Sequence, residues 1–200
     1  MAKSKIILLN GTSSSGKSTL AKAIQRDIEE PFWHVASDQF VQARMLPQRR
    51  DEGGEFTWQV MRPRFFDAFH RCLPAIASAG NNLIIDHVIE FTSWMHELVD
   101  LLIAFDVFFV GIHCPLEELE RRERKRGDRT IGEAYDHLQV VHTYGKYDFE
   151  VNTMTATPID NATKIIRAWK GRTAPSAFEQ MYEMQSINRV VLAWNGPKNP

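Results

Sequence analysis

The sequence predicts an α/β fold built on a parallel β-sheet. Short apolar runs recur along the 200 residues, and segments with helical spacing of their apolar residues separate these runs. Strands and helices that alternate in this way form parallel sheets with helices packed on the faces. Acidic side chains also close two of the apolar runs, and ligands of such folds bind beyond the carboxyl ends of the strands. We therefore expect a three-layer α/β domain with a site at one edge of its sheet.

Composition limits the classes of partner. The chain is 44% hydrophobic and 24% charged, with a formal net charge of −1, as in ordinary globular proteins. This balance gives no overall attraction to nucleic acid or to an anionic membrane, so we expect neither as a partner. Cys72 and Cys114 fit no disulfide framework and no metal site, which favours reduced thiols in the cytoplasm. No apolar stretch is long enough to cross a bilayer, and a homo-oligomer is left open.

The first strand leads into a strong motif. Residues 6–9 form an apolar run typical of a buried strand, and Gly11–Ser18 (GTSSSGKS) fits the pattern G-x-x-x-x-G-K-[ST]. The glycines let the backbone approach a ligand, and successive N–H groups form a nest for an anion at the start of the next helix. Lys17 would reach the β- and γ-phosphates of ATP, and Ser18 would ligate Mg²⁺. The predicted nucleotide-binding residues are Gly11, Thr12, Ser13, Ser14, Ser15, Gly16, Lys17, Ser18 and Thr19.

The next elements follow from spacing and from helix-breaking residues. Residues 19–30 carry apolar side chains on one face and predict a helix, and residues 32–37 predict a strand. Residues 40–62 show no clear period, so we expect an irregular or partly helical insert. Pro63 fits the first turn of the following helix, and Gly80 is a natural stop for it.

The second half of the chain continues the alternation. We predict strands at residues 82–88, 107–114 and 149–152. The helices are expected at residues 92–102, from Pro115 to near Gly127, at residues 133–142, and from Thr157 onwards with threonine as the cap and Pro158 in the first position. From about Thr173 the composition changes. We therefore divide the chain into a domain at residues 1–172 and an extension at residues 173–200 whose role the sequence does not give.

Two aspartates lie where ligands of parallel sheets bind. Asp86 closes the run Leu83-Ile84-Ile85, which suits a group that holds Mg²⁺ or its water shell, or a cap for the next turn. Asp38 follows the second strand, where a carboxylate can accept the proton of an attacking hydroxyl group or can cap a helix that starts near Gln39. Local sequence leaves both alternatives open. Among the seven histidines, only His87 has a position that makes a catalytic role reasonable.

Arginines are concentrated in two places. In the charged helix, Glu117–Arg121, Glu118–Arg122 and Glu120–Arg124 form i,i+4 pairs that suit an exposed face. Arg126 and Arg129 lie beyond these pairs, so we expect them to close over the phosphates and to stabilise charge during transfer. The insert holds a further group that is either a solvated surface or a site for an anionic acceptor: Arg44, Arg49, Arg50, Arg62 and Arg64.

These motifs together resemble the chloramphenicol phosphotransferase family of P-loop kinases. The resemblance covers residues 5–170 and rests on GTSSSGKS, Asp38, LIIDHV, RGDR at residues 126–129 and VHTYGKYDFEVNT at residues 141–153. It implies a P-loop kinase fold with a parallel five-stranded sheet and a small helical lid. It also implies transfer of the γ-phosphate of ATP to a small-molecule alcohol, with Asp38 as the base.

The same resemblance assigns roles to the other residues. Lys17 and Ser18 would hold phosphate and Mg²⁺, and Arg126 and Arg129 would belong to the lid. The chain departs from the family at Asp86-His87, where two acids are expected, and in its arginine-rich insert.

Other functions remain to be weighed. A kinase of a nucleotide-sugar, as in zeta-toxin-like kinases, or of another metabolite is an alternative, and so is a non-catalytic nucleotide-binding protein. A GTPase would carry N-K-x-D, and a motor would carry Asp-Glu after a strand or LSGGQ; the sequence contains none of these.

Overall fold

The structure is a computed structural model that describes residues 3–47, 57–126 and 132–194. Its strands are β1 (Lys5–Gly11), β2 (Phe32–Ala36), β3 (Asn82–His87), β4 (Asp106–His113) and β5 (Phe149–Asn152). Its helices are α1 (Lys17–Asp27), α2 (Ser37–Gln42), α3 (Trp58–Ser78), α4 (Thr92–Leu102), α5 (Leu116–Arg126), α6 (Glu133–Val140), α7 (Pro158–Lys170) and α8 (Ala177–Trp194).

All five strands are parallel and lie in the order β2-β3-β1-β4-β5. The central strand is β1, in which the four consecutive residues from Ile6 to Leu9 are fully buried. A strand with neighbours on both edges and helices on both faces must be apolar throughout, which explains this run. The predicted parallel five-stranded α/β fold is thus confirmed.

Side-chain alternation divides the core into two layers. Ile6 and Leu8 of β1 pack with α3, α4 and α8 on one face, whereas Ile7 and Leu9 pack with α1 and α7 on the other. Because successive residues of a strand point to opposite faces, the same alternation continues along β3. This division decides on which side of the sheet each polar residue at the end of a strand lies.

Helix α3 begins earlier than the sequence indicates. It starts at Trp58, so Pro63 lies inside the helix and not in its first turn, and residues 58–62 are helical. An interior proline costs about 3 kcal/mol, but an apolar stripe that continues through Phe66, Phe69 and Leu73 is buried along the same helix. The burial of that stripe offsets the missing hydrogen bond.

The extension also contains a helix that the sequence analysis does not predict. Ala177, Phe178 and Met181, in the first turns of α8, are buried against the sheet, while Ile187 and Val190 further along are exposed. With so few buried residues, the apolar period along α8 is too weak to read from the sequence. None of the helices within the described ranges is long and apolar enough to cross a membrane.

Candidate active site

The loop between β1 and α1 has the backbone shape that its glycines predict. Gly16 has a φ of +93° and Ser14 a φ of +60°, both in the left-handed region. Lys17 folds back over the loop, because its Nζ donates to the carbonyl oxygen of Thr12 at 2.7 Å. The first side chain of α1 is therefore held against the backbone of the loop that precedes it.

The loop contains buried hydroxyl groups that bond none of the described residues. These are the side-chain oxygens of Thr12, Ser13, Ser14 and Ser15. Buried polar groups are almost always hydrogen-bonded in native proteins, so a concentration of unpaired donors indicates a ligand that accepts hydrogen bonds. Phosphate oxygens are such acceptors, and the residues present therefore fit a nucleoside triphosphate.

Asp86 lies at the end of β3, beside this loop. Its Oδ2 accepts a hydrogen bond from Ser18 Oγ at 2.5 Å, and its Oδ1 is 3.9 Å from Lys17 Nζ. Burial raises the pKa of Asp86, but the imidazole of His34 at 3.8 Å, the charge of Lys17 and the Ser18 hydroxyl outweigh it and hold the pKa below its usual value. An ionised carboxylate beside a serine hydroxyl offers the hard oxygen ligands that Mg²⁺ prefers.

Asp38 is the second residue of α2 and lines the same cleft as Lys17 and Asp86, which has a volume of about 1020 Å³. The N-cap position of α2 belongs to Ala36, so the interpretation of Asp38 as a cap is wrong. Its half-buried carboxylate lies in the first helical turn. The structure thus brings together the aspartates and the lysine that the sequence singles out.

The N-terminal part of α3 forms one wall of the cleft, which we call the acceptor wall: Trp58, Arg62, Phe65 and Phe66. The rings of Phe65 and Phe66 pack edge to face at 5.1 Å. Arg62 Nη2 donates to both oxygens of Glu90, at 2.5 and 2.6 Å. Its guanidinium carbon also lies 5.1 Å from the ring of Phe66 and 5.3 Å from that of Trp94. The wall therefore combines aromatic surface with one fixed, charge-paired arginine.

Arg122 is a functional candidate that sequence reasoning missed. Its Nη1 donates to the carbonyl oxygen of Ser15 at 3.2 Å and to Thr153 Oγ1 at 3.1 Å. The predicted pair with Glu118 also forms, through Nε at 2.7 Å. A guanidinium has five donors, so one arginine can serve a helix pair and a loop at once. No spacing rule reveals the second role.

The other predictions for this helix have different outcomes. Arg121 bonds Glu118 at i,i+3, at 2.6 Å, so the pair that we predict with Glu117 is wrong. The pair of Arg124 with Glu120 is present at 3.7 Å. Arg126 is the last residue of α5, but its side chain and all of Arg129 lie outside the described residues. The lid role of these two arginines stays a prediction.

Comparison with known proteins gives a family match over most of the chain. The sequence profile described as "Chloramphenicol phosphotransferase-like protein" matches residues 4–170. A protein of Mycobacterium tuberculosis H37Rv named "Putative O-phosphotransferase Rv2636" is 33% identical over 205 residues, covering 90% of this chain and 89% of the relative. The corresponding protein of strain CDC 1551, named "Putative O-phosphotransferase MT2714", matches equally well.

Solved structures resemble the fold at lower sequence identity. The Mycobacterium tuberculosis APS kinase CysC, in complex with AMPPNP and APS, has a TM-score of 0.64 at 16% identity, covering 85% of this chain and 99% of that one. Shikimate kinase from Acinetobacter baumannii, in complex with shikimate, has a TM-score of 0.54 at 13% identity, with 81% and 90% covered. At these identities the likeness extends to the α/β P-loop fold and no further.

Proposed function

Because the chain belongs to the chloramphenicol phosphotransferase-like family, we propose that this phosphotransferase moves the γ-phosphate of ATP to a hydroxyl group of a small molecule. One observation supports this most strongly: Asp86 contacts both Lys17 and Ser18, and the three residues share a single cleft with Asp38. A phosphate-binding end and a carboxylate base within one cleft are what transfer to an alcohol requires.

The phosphate end would bind and orient ATP. The N–H groups of the loop and the ammonium group of Lys17 would hold the β- and γ-phosphates, and the unpaired hydroxyls of the loop would donate to their oxygens. Ser18 and Asp86 would hold Mg²⁺, which neutralises charge on the phosphates when bound. Arg126 and Arg129 would close over the same end from the lid.

The acceptor end would supply the nucleophile. Asp38 would take the proton of the attacking hydroxyl group onto a carboxylate oxygen. The alcohol oxygen then forms its bond to the γ-phosphorus while the bond from that phosphorus to the bridging oxygen of ADP breaks. The acceptor wall would hold the body of the alcohol beside Asp38, with its rings excluding water from the reaction.

The identity of the alcohol is a separate part of the proposal. Chloramphenicol is the first acceptor to test, since the family carries its name. A nucleotide-sugar or another metabolite would use the same chemistry, whereas a non-catalytic nucleotide-binding protein would use only the phosphate end. A cytoplasmic location, where ATP is available and Cys72 and Cys114 remain free thiols, belongs to the same proposal.

The test is a transfer assay with γ-labelled ATP and Mg²⁺. The protein is incubated with chloramphenicol and, separately, with a pooled extract of hydroxylated metabolites, and the labelled products are resolved. Asp38→Asn is the matched variant, because it keeps the size of the side chain and removes the base. We expect it to bind ATP normally but to transfer phosphate about 10²–10⁴-fold more slowly, the usual effect of losing a general base.

The products distinguish the alternatives. Labelled chloramphenicol, lost in Asp38→Asn, would support both the activity and the acceptor, and label on an extract component alone would reassign the acceptor. Label on inorganic phosphate only, or on nothing, would contradict the phosphotransferase proposal. Unchanged turnover in Asp38→Asn would remove Asp38 from the mechanism.

A further inference from the structure

Three polar side chains form a hydrogen-bonded chain through the apolar core beneath the acceptor wall. Glu97 Oε2 of α4 lies 3.0 Å from His70 Nδ1 of α3, and His70 Nε2 lies 3.0 Å from His87 Nε2 at the end of β3. His70 is fully buried and His87 is 2% exposed, whereas the side chain of Glu97 is 29% exposed. The chain therefore leads from the protein surface to the end of the sheet.

Aromatic rings enclose the two imidazoles. The ring of His87 stacks on Trp94, with centroids 5.7 Å apart and planes 17° apart, and Phe69 lies 5.3 Å away. Burial lowers the pKa of His70, so this ring is neutral and carries one proton on one of its two nitrogens. The Nε2 atoms of the two rings lie 3.0 Å apart, so one of them donates and the other is the bare acceptor. The His87 ring is 2% exposed and its Nδ1 bonds none of the described residues, so a second proton on this ring would be a buried, unpaired charge.

The carboxylate fixes where those protons are. Glu97 can only accept, so His70 must donate from Nδ1, and its Nε2 is then bare. A bare His70 Nε2 requires His87 to donate from Nε2. The remaining ring nitrogen of His87, Nδ1, is therefore an acceptor. The Glu97 carboxylate thus determines that His87 Nδ1, two hydrogen bonds away, is an acceptor and not a donor.

His87, the last member of this hydrogen-bonded series, lies at the cleft. Side chains alternate along β3, so His87 faces α3 and α4 while Asp86 faces the opposite side of the sheet. His87 lines the cleft together with Phe66 of the acceptor wall. Its Nδ1 is buried and has no hydrogen-bond partner among the described residues. A buried acceptor without a partner needs an explanation, and a donor supplied by a ligand is one.

We infer that Glu97 and His70 are positioning residues that hold His87 as its Nε2–H tautomer, so that its bare Nδ1 accepts a hydrogen bond from an O–H or N–H group of the bound phosphate acceptor. The inference rests on the proposed function. It adds a requirement on the substrate class: the acceptor carries a second hydrogen-bond donor besides the hydroxyl group that is phosphorylated. His87 is then a specificity-determining residue on the acceptor side of the sheet.

Stability alone does not account for the hydrogen-bonded series of Glu97, His70 and His87. Buried polar networks are often no more stable than apolar side chains of the same size, and they are retained where they specify an arrangement. Here the arrangement specified is a tautomer.

The test measures the tautomers of His70 and His87 and the steady-state kinetics of the full-length protein. Histidine is labelled with ¹⁵N, and the ring nitrogens of His70 and His87 are observed by NMR in the wild type and in Glu97→Gln. The matched control is Asp100→Asn, which removes the charge of another carboxylate on α4, one that pairs with Arg189 at the surface. The Michaelis constants for ATP and for whichever acceptor the transfer assay labels are measured in parallel.

We expect wild-type His70 to be protonated at Nδ1 and His87 at Nε2. A glutamine at position 97 can donate as well as accept, so His87 should lose its single tautomer. The Michaelis constant for the acceptor should then rise about five- to tenfold, the effect of one lost hydrogen bond, while that for ATP stays unchanged. Asp100→Asn should match the wild type in both measurements.

Three results would overturn the inference. His87 protonated at Nδ1 in the wild type would refute the order of the chain, in spectra that need no turnover. An unchanged Michaelis constant for the acceptor, despite altered tautomers, would refute the contact with the substrate. The chemical shift of His87 Nδ1 could also show a hydrogen bond before the phosphate acceptor is added and stay the same after its addition. That result would assign a bound water as the partner of Nδ1. A wild-type protein that transfers label to no acceptor would instead contradict the proposed function. The tautomers of His70 and His87 would still be determined by NMR, because that measurement needs no turnover.

Discussion

At the scale of single residues, Arg122 shows how one side chain can satisfy a sequence rule and a tertiary contact at once. Its pair with Glu118 follows from i,i+4 spacing, and this spacing gives no reason to expect a further role. The same guanidinium bonds the carbonyl oxygens of the phosphate loop and bridges to Thr153 after β5. It therefore connects the loop to α5 and to the residue that follows β5, Thr153, whose own hydroxyl group also donates to Ser15.

We predict that Arg122→Gln weakens ATP binding about tenfold, because the loss of charged hydrogen bonds removes roughly 1.5–3 kcal/mol from the contacts that hold the loop. The measurement is a calorimetric titration with a non-hydrolysable ATP analogue. Arg124→Gln on the same helix is the control, since its side chain is 58% exposed. Equal affinity in the two variants would show that Arg122 does not organise the loop.

At the scale of elements, the decisive feature is where α3 begins. Trp58 and Arg62 before Pro63, and Phe65 just after it, line the cleft, whereas the later turns of the helix fill the core. One apolar stripe thus serves two purposes along a single helix. Periodicity alone identifies the stripe but does not separate the part that lines a cavity from the part that packs on a sheet.

We expect Trp58→Ala to raise the Michaelis constant for the acceptor about tenfold, because it removes aromatic contact area from the acceptor wall. The constant for ATP should not change, since the ring contacts of Trp58 are with Phe65 and Phe66 and not with the phosphate loop. Steady-state kinetics with both substrates varied provide the measurement. Val60→Ala, at a site 55% exposed on the same helix, is the control. A parallel rise in both constants would contradict a role confined to the acceptor end.

At the scale of the whole molecule, α8 joins the C-terminal extension to the core. Phe178 is 1% exposed and packs edge to face on Phe109 of β4, with ring centroids 5.4 Å apart. Asp148 supports this junction, because it accepts hydrogen bonds from the backbone N–H groups of Phe109 and Ala177. The division of the chain at residue 172 stays a prediction about function, and the packing of α8 suggests that residues beyond it stabilise the fold.

We predict that Phe178→Ala lowers the free energy of unfolding by about 3–5 kcal/mol, the usual cost of emptying a buried phenylalanine site. Urea denaturation followed by circular dichroism measures the change. Ile187→Ala, on the same helix but 55% exposed, should stay within about 0.5 kcal/mol of the wild type. Similar unfolding midpoints for the two variants would mean that α8 does not contribute to the core.

The sequence by itself determined the elements whose signals are local. The phosphate loop is specified by glycines and a lysine at fixed positions, β1 by an uninterrupted apolar run, and the start of α7 by Thr157 and Pro158, which form the predicted cap. In each case the physical cause acts between residues a few positions apart, so spacing is enough to reveal it.

Only the tertiary structure decided which residues meet. The strand order placed the end of β3 beside the phosphate loop, which brings Asp86 to Ser18 across 68 positions of sequence. Packing of α3 and α4 on one face of the sheet joined Glu97, His70 and His87 into a chain. The loop contacts of Arg122 arose in the same way. Such contacts depend on how distant elements are arranged, and no periodicity within one segment encodes that arrangement.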